Sequence, residues 1–186
     1  MAEWVIKRGA DLVPVPWRNG LGTTRDVITV LAPDGSLRWQ VSIAELVQDA
    51  PFSYFPHCDR VFTPVAGAPP PELAFDGGAF VPCPLLVPKR FSGEVPTLSR
   101  IPSQGRAFNA VFDRRSHACS VDVMFLAAGE AVAAPDGAEL VLYCHAGELS
   151  LGAQRLASGD SVQGSFRTVI ASSQACAILV TVRTVG

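Results

Sequence analysis

Arg60 closes an aromatic run, Pro51-Phe52-Ser53-Tyr54-Phe55-Pro56-His57-Cys58-Asp59-Arg60-Val61-Phe62, at the point where a strand is expected to begin. A guanidinium on an inward-facing strand position needs an anionic partner, because a buried, unpaired charge is strongly destabilising. Two kinds of partner suit it. One is an acid of the chain itself, Asp26 or Asp59. The other is the carboxylate of a ligand, which a guanidinium grips through two parallel hydrogen bonds. Asn109, in Gly105-Arg106-Ala107-Phe108-Asn109, is a second polar residue set among apolar neighbours. The segment Asn19-Gly20-Leu21-Gly22-Thr23-Thr24 offers hydroxyls and loop amides to a small anion, but it lacks the lysine and preceding strand of a phosphate loop. The pair Arg114-Arg115 reads as solvated surface charge, one member of which could turn into a pocket.

Other chemistries find little support. The three histidines, His57, His117 and His145, form no His-x-His. His117-Ala118-Cys119 and Cys144-His145 are the nearest approaches to a ligand set, and neither supplies three donors. No metal and no cofactor are expected. There is no Gly-x-Ser-x-Gly elbow and no recognisable nucleophile, so no catalytic residue is assigned. Were the protein an enzyme, Asp26 or Asp59 would be the base, with Arg60 stabilising an anionic intermediate.

The chain of 186 residues suits one large domain or two intimately packed small ones. Hydrophobic residues make up 48% and charged residues 17%, which excludes wholesale disorder. The net charge of −2 concentrates no positive patch, so nucleic-acid binding is not expected. No apolar run reaches the ~20 residues a membrane helix needs. Met1 to Arg8 lacks the apolar core of a signal peptide. The five cysteines (Cys58, Cys83, Cys119, Cys144, Cys176) are odd in number and never spaced Cys-x-x-Cys, which suits reduced thiols in the cytoplasm.

The elements that must position these side chains read as strands. Trp39-Gln40-Val41-Ser42-Ile43-Ala44 puts Trp39, Val41 and Ile43 on one face and small or polar residues on the other. Leu140 to Cys144 and Cys176 to Val182 are near-continuous apolar runs, as for strands buried on both faces. Turn signals such as Pro33-Asp34-Gly35 and Pro135-Asp136-Gly137 separate the strands, in a chain with 16 glycines and 15 prolines. Only Ile43 to Gln48 and the stretch around Phe108 to Arg115 are compatible with helix. A weak internal repeat is present: Val65-Ala66-Gly67 leads to Glu72-Leu73-Ala74-Phe75, and His145-Ala146-Gly147 to Glu148-Leu149-Ser150-Leu151. The second copy continues into Leu156-Ala157-Ser158-Gly159-Asp160-Ser161-Val162, where the glycine supplies a turn and the aspartate closes it on backbone amides, as in cupin barrels.

These motifs together resemble the HutD/Ves family of bacterial proteins. The matching segments are Pro16-Trp17-Arg18-Asn19-Gly20, Gly22-Thr23-Thr24-Arg25-Asp26, Trp39 to Ala44, Ala50 to Arg60, Pro88, Phe91-Ser92-Gly93-Glu94, and Phe108-Asn109 with Arg114-Arg115. The chain departs from the family pattern at Leu21 and His57, where glycine is usual, and at Ala107, where an aspartate is usual. The resemblance implies an all-β, cupin-like fold of two stacked β-barrels without metal ligands. It also implies a role in regulating histidine utilisation through binding a metabolite such as N-formylglutamate or urocanate, while other members are linked to environmental stress. The expected barrels are 1–115, with the N-terminal strands, and 116–186.

In that frame Arg60 would pair with a carboxylate while Ser42 and Asn109 offer hydrogen bonds. Trp17 and Phe108 would supply apolar walls, and Asn19, Thr24 and Asp26 would shape the rim. The function expected is non-enzymatic binding of a small carboxylate. The rivals are a metal-free isomerase or hydrolase, and a protein-interaction module using the proline-rich Ala68 to Pro71 loop or an exposed edge strand. A homodimer is expected from the need to hide edge strands.

Overall fold

The structure, a computed structural model, describes residues 4–17 and 20–185. Asn19, expected at the pocket rim, lies outside them. Among the described residues the only regular element that is not a strand is a 3-10 turn at Gly9–Asp11. The strands are β1 (Trp4–Lys7), β2 (Pro14–Pro16), β3 (Thr23–Leu31), β4 (Leu37–Leu46), β5 (Ala50–Pro51), β6 (Cys58–Ala66), β7 (Glu72–Phe75), β8 (Val81–Pro82), β9 (Lys89–Ser92) and β10 (Thr97–Arg100). They continue as β11 (Gly105–Asp113), β12 (His117–Leu126), β13 (Ala131–Ala133), β14 (Glu139–Ala146), β15 (Glu148–Leu151), β16 (Gln154–Ala157), β17 (Ser161–Gly164), β18 (Thr168–Ala171) and β19 (Ala175–Thr184). The chain divides into two compact units, Val13–His117, and Met1–Leu12 with Ala118–Gly186.

The unit Val13–His117 contains a six-stranded sheet, ordered β2-β3-β4-β11-β6-β9, and a four-stranded sheet, ordered β5-β10-β7-β8. Ile43–Leu46 and Phe108–Asp113, compatible with helix from sequence, are strand. The reason is that β4 pairs along nearly its whole length with β3 on one side and β11 on the other. Two ladders satisfy the backbone groups more completely than a short, weakly capped helix would. Period-2 alternation then sorts the side chains. Trp39, Val41 and Ile43 are buried on one face of β4, and Gln40, Ser42 and Ala44 occupy the other. Ala44, Leu46, Phe62 and Ala107 of the larger sheet form a core with Leu73 of the smaller one and with Cys83.

Among the described residues no sheet closes into a barrel, unlike the two stacked β-barrels expected from sequence. The edges of the six-stranded sheet explain why. β2 is three residues long with prolines at both ends, which remove two backbone donors, and β9 is only four residues long.

The unit of Met1–Leu12 and Ala118–Gly186 pairs a five-stranded sheet, β1-β17-β14-β19-β12, with a four-stranded sheet, β13-β18-β15-β16. β1, grouped by the sequence reading with residues 1–115, pairs with β17, Trp4 opposite Gly164 and Lys7 opposite Ser161. Asp160 anchors this junction. It accepts hydrogen bonds from the Gly9 amide (2.9 Å) and the Ala157 amide (3.0 Å), and pairs with Arg8 at 2.7 Å. Gly67 and Gly147, the repeated glycines, both have positive φ, +115° and +79°, and each leads from a long strand of the larger sheet of its unit to a strand of the smaller one, β6 to β7 and β14 to β15. A side chain at 147 would meet the Gln174 carbonyl oxygen at 2.2 Å.

Candidate functional site

The six-stranded sheet forms the floor of a cavity of about 540 Å3 that lies within the unit Val13–His117. Register decides which side chains reach it. Asp26 on β3, Ser42 on β4, Asn109 on β11 and Phe62 on β6 stand in one row across four adjacent strands. One residue pair along, Gln40, Val111 and Arg60 form the next row in line with the first face. All seven line the cavity, and Thr24 and Trp17 complete the wall beside β3.

Arg60 is the chemical centre. It is 9% exposed, and burial lowers its pKa to about 10, so it remains a cation at neutral pH. Neither acid considered from sequence pairs with it. Asp59 faces the other way on β6 and is held by Arg90 at 2.7 Å and Arg114 at 2.9 Å. Asp26 accepts a 2.7 Å hydrogen bond from Gln40 Nε2. Among the described residues no carboxylate forms an ion pair with Arg60, and its Nε has no hydrogen-bond partner.

What holds the guanidinium is aromatic. Its central carbon lies 4.7 Å from the Phe52 ring centroid and 5.1 Å from that of Phe55. Phe52 is itself fixed by edge-to-face contacts with Phe62 (5.5 Å) and Phe91 (5.7 Å). Each cation–π contact contributes about 0.5–2 kcal/mol. That only partly offsets the several kcal/mol lost when an ion leaves water. The remainder is an attraction for an anion.

The surrounding polar groups are largely unspent. Ser42 is buried at 9% exposure and Asn109 at 8%. Asn109 Nδ2 makes only a long 3.4 Å contact with the Ala107 carbonyl oxygen, and Thr24 Oγ1 donates to Ile43 O at 3.1 Å. Trp17 is placed by its loop: its amide donates to Gly22 O at 2.9 Å, and its ring packs so closely over Gly22 that a Cβ there would lie 2.9 Å from ring carbons. Arg60, Ser42, Asn109, Trp17, Thr24 and Asp26 are thus brought together. Phe108 is not. It follows Ala107 and precedes Asn109 on β11, so alternation turns it to the opposite face, where it is fully buried away from the cavity.

Among the lining residues that the sequence reading did not assign are Gln40, Phe52 and Phe55. Gln40 stands two residues before Ser42 on the same face, and the two phenylalanines precede Arg60 in the aromatic run, so period and proximity were the available signals. Of the arginine pair, Arg115 clasps Asp113 through both carboxylate oxygens at 3.0 and 2.7 Å, while Arg114 pairs with Asp59 and with Glu94 at 2.6 Å. His57, where the resemblance leads one to expect glycine, has a φ of 60°, in the left-handed region glycine favours. Among the described residues no group of three or more His, Cys, Asp or Glu side chains could hold a metal ion, so the donor set of a metal-binding cupin is not assembled. Among the described residues no helix is long and apolar enough to cross a membrane.

Known proteins share this architecture. HutD from Pseudomonas fluorescens superposes with a TM-score of 0.84 at 22% identity, over 99% of this chain and all of that one. A conserved protein from Pseudomonas aeruginosa PAO1 gives 0.85, also at 22% identity, over 98% of this chain and all of its own. The Escherichia coli pirin YhhW, at 8% identity and a TM-score of 0.72, extends the likeness in fold to cupin-like proteins. In sequence, protein Ves of Citrobacter koseri is 37% identical over 61 residues, a stretch that is 33% of this chain and 30% of that protein. The HutD family model matches residues 9–181. From near the 3-10 turn to the last long strand, therefore, the chain follows one family's pattern, and it belongs to the HutD family.

Proposed function

We propose that this protein is a cytoplasmic, non-enzymatic binder of small carboxylates, built as a pair of cupin-like units, that modulates histidine utilisation. It would do so by sensing or sequestering a pathway metabolite such as N-formylglutamate or urocanate. The observation that carries the reading is the Arg60 guanidinium, buried at the cavity floor between two phenylalanine rings with no carboxylate among the described residues to neutralise it. A ligand carboxylate would take the two-pronged hydrogen bonds the guanidinium offers, with Ser42 and Asn109 beside it. An apolar, aromatic lining with a few convergent polar groups is what small-molecule sites require. The link to histidine utilisation is what the resemblance to the HutD/Ves family implies, and the family model and the HutD relative support that membership.

The test is a thermal-shift series with formate, urocanate, N-formylglutamate and histidine, followed by calorimetry on Arg60→Ala. Ligand at 100 times its dissociation constant stabilises the fold by about 2.7 kcal/mol. A shift present in the parent and lost in a folded Arg60→Ala supports the proposal, and no shift with any carboxylate refutes it.

A second reading is favoured by Asp26, whose carboxylate shares the cavity with Arg60. A base beside an anion-stabilising cation is the minimum of an isomerase or hydrolase site. Turnover of a bound carboxylate, followed by NMR and abolished in Asp26→Asn, would establish it in place of simple binding.

A further inference from the structure

Among the described residues the four sheets have eight edge strands, and all but one are short. β1, β2, β5, β8, β9, β13 and β16 have four residues or fewer, whereas β12, at the end of the five-stranded sheet, has ten. An edge strand turns a row of unpaired backbone donors and acceptors outward, a template for one more strand. Edges that stay single are commonly guarded by lysine or proline, and β2 and β8 do contain prolines. β12, His117-Ala118-Cys119-Ser120-Val121-Asp122-Val123-Met124-Phe125-Leu126, holds no lysine, arginine or proline, and Asp122 is its one acid.

The other unit shows what such an edge receives. The strand orders match element by element: β4-β11-β6-β9 corresponds to β12-β19-β14-β17, and β5-β10-β7-β8 to β13-β18-β15-β16. β12 is therefore the counterpart of β4. On the side of β4 away from β11 runs β3, antiparallel and paired over nearly its whole length. The same side of β12 carries no strand among the described residues. An occupant equivalent to β3 is a long strand running antiparallel.

A second copy of β12 meets that description, because a twofold axis perpendicular to the sheet lays a strand antiparallel beside itself. Side chains then choose the register. Met124 and Leu126 pack on the apolar core of their own unit, so alternation puts Val121, Val123 and Phe125 on the other face, where Phe125 is 71% exposed. Opposed residues must both turn their backbone groups outward, so the allowed registers differ by steps of two residues. With Val123 opposite itself, Phe125 meets Val121 on both sides of the axis and Asp122 meets Met124. One step one way sets the two Asp122 carboxylates against each other, which is destabilising. One step the other way shortens the paired stretch. We propose that β12 is the dimerisation edge of this protein, two copies pairing antiparallel through residues 120–126 with Val123 on the twofold axis. This gives the homodimer expected from sequence a surface, and it stands apart from the ligand reading.

Analytical ultracentrifugation of the full chain over a concentration series tests it. The parent sediments as a dimer. Phe125→Lys, at a highly exposed position, adds an edge-guarding residue and raises the dimer dissociation constant at least about tenfold. Val123→Cys reports the register. With the two residues directly opposed, their Cβ atoms lie about 4.5–5.5 Å apart, and mild oxidation links two chains through one disulfide that the parent does not form. Val121→Cys, whose two copies stand well apart along the strands, gives no such link. A parent that stays monomeric up to about 1 mM protein overturns the proposal. So does a dissociation constant unchanged in Phe125→Lys, or a link formed at 121 in place of 123. Should Phe125→Lys not fold, the two cysteine variants decide.

Discussion

Corresponding rows of the two large sheets have opposite contents. In the five-stranded sheet Val162, Leu142 and Leu179 stand side by side on β17, β14 and β19, all in one apolar core. In the six-stranded sheet Asp26, Ser42, Asn109 and Phe62 stand side by side on β3, β4, β11 and β6, with Arg60 one row away. Both sheets pair with a four-stranded partner, so architecture does not explain the difference. One unit spends its inward positions on packing. The other gives several of them to polar groups and keeps a cavity, leaving Arg60 Nε unsatisfied. Close apolar packing and the polar-floored cavity thereby fall in different stretches of one chain.

The sharpest way to break this contrast is Arg60→Met. It converts the polar floor toward the apolar kind, so carboxylate affinity falls by about 2–5 kcal/mol, thirtyfold or more, in calorimetry. Stability in urea stays equal or rises by about 1 kcal/mol, since an unpaired buried charge has gone. A large loss of stability would mean that Arg60 is a structural residue and the contrast false. Leu142→Ala is the mirror experiment. It opens a hole in the apolar core and costs about 2–5 kcal/mol in denaturant unfolding, with carboxylate affinity unchanged under conditions where the variant is folded.

A pH series sharpens the comparison further. The ligand carboxylate favours charged Arg60, whose pKa in the free protein is about 10, so the complex holds the proton more tightly. Affinity is therefore full at neutral pH and falls by up to about tenfold per unit as pH rises above about 10. Stability of the free protein moves the other way. The unfolded chain keeps this proton to higher pH, so the Arg60 contribution to stability rises as pH climbs above about 10, and is absent from Arg60→Met. The smallest effect is that of Ser42→Ala. Loss of one neutral hydrogen bond weakens carboxylate binding by about 0.5–1.5 kcal/mol in calorimetry and leaves urea stability within about 0.5 kcal/mol of the parent.

Much of this was legible in the residues themselves. Alternation at Trp39 to Ala44 placed Ser42 opposite the apolar face, and the aromatic run marked Arg60 as a cation in apolar company. The same alternation rules out Phe108 and Asn109 as joint lining residues, since neighbours on a strand face opposite ways; the error was to read their adjacency as shared surroundings. The choice between Asp26, Asp59 and a ligand as partner for Arg60 was not legible, because it depends on Arg90 and Arg114 reaching Asp59 from distant parts of the sequence. Nor was the open state of the sheets, which turns on how short β2 and β9 are. The partnership of β1 with β17 was equally hidden, since no local pattern announces a pairing across some 150 residues.

That pairing orders events in time. On the ribosome Trp4–Lys7 is made well before its partner Ser161–Gly164, which emerges some 150 residues later. The intervening segment Val13–His117 has all its own strands in hand long before then and is free to close around its cavity first. β1 is thus made ahead of the Val13–His117 segment and docks after it, and its long loop closure makes that step the slow one. A nascent chain stalled after the first unit would carry a complete pocket and an idle N-terminal strand.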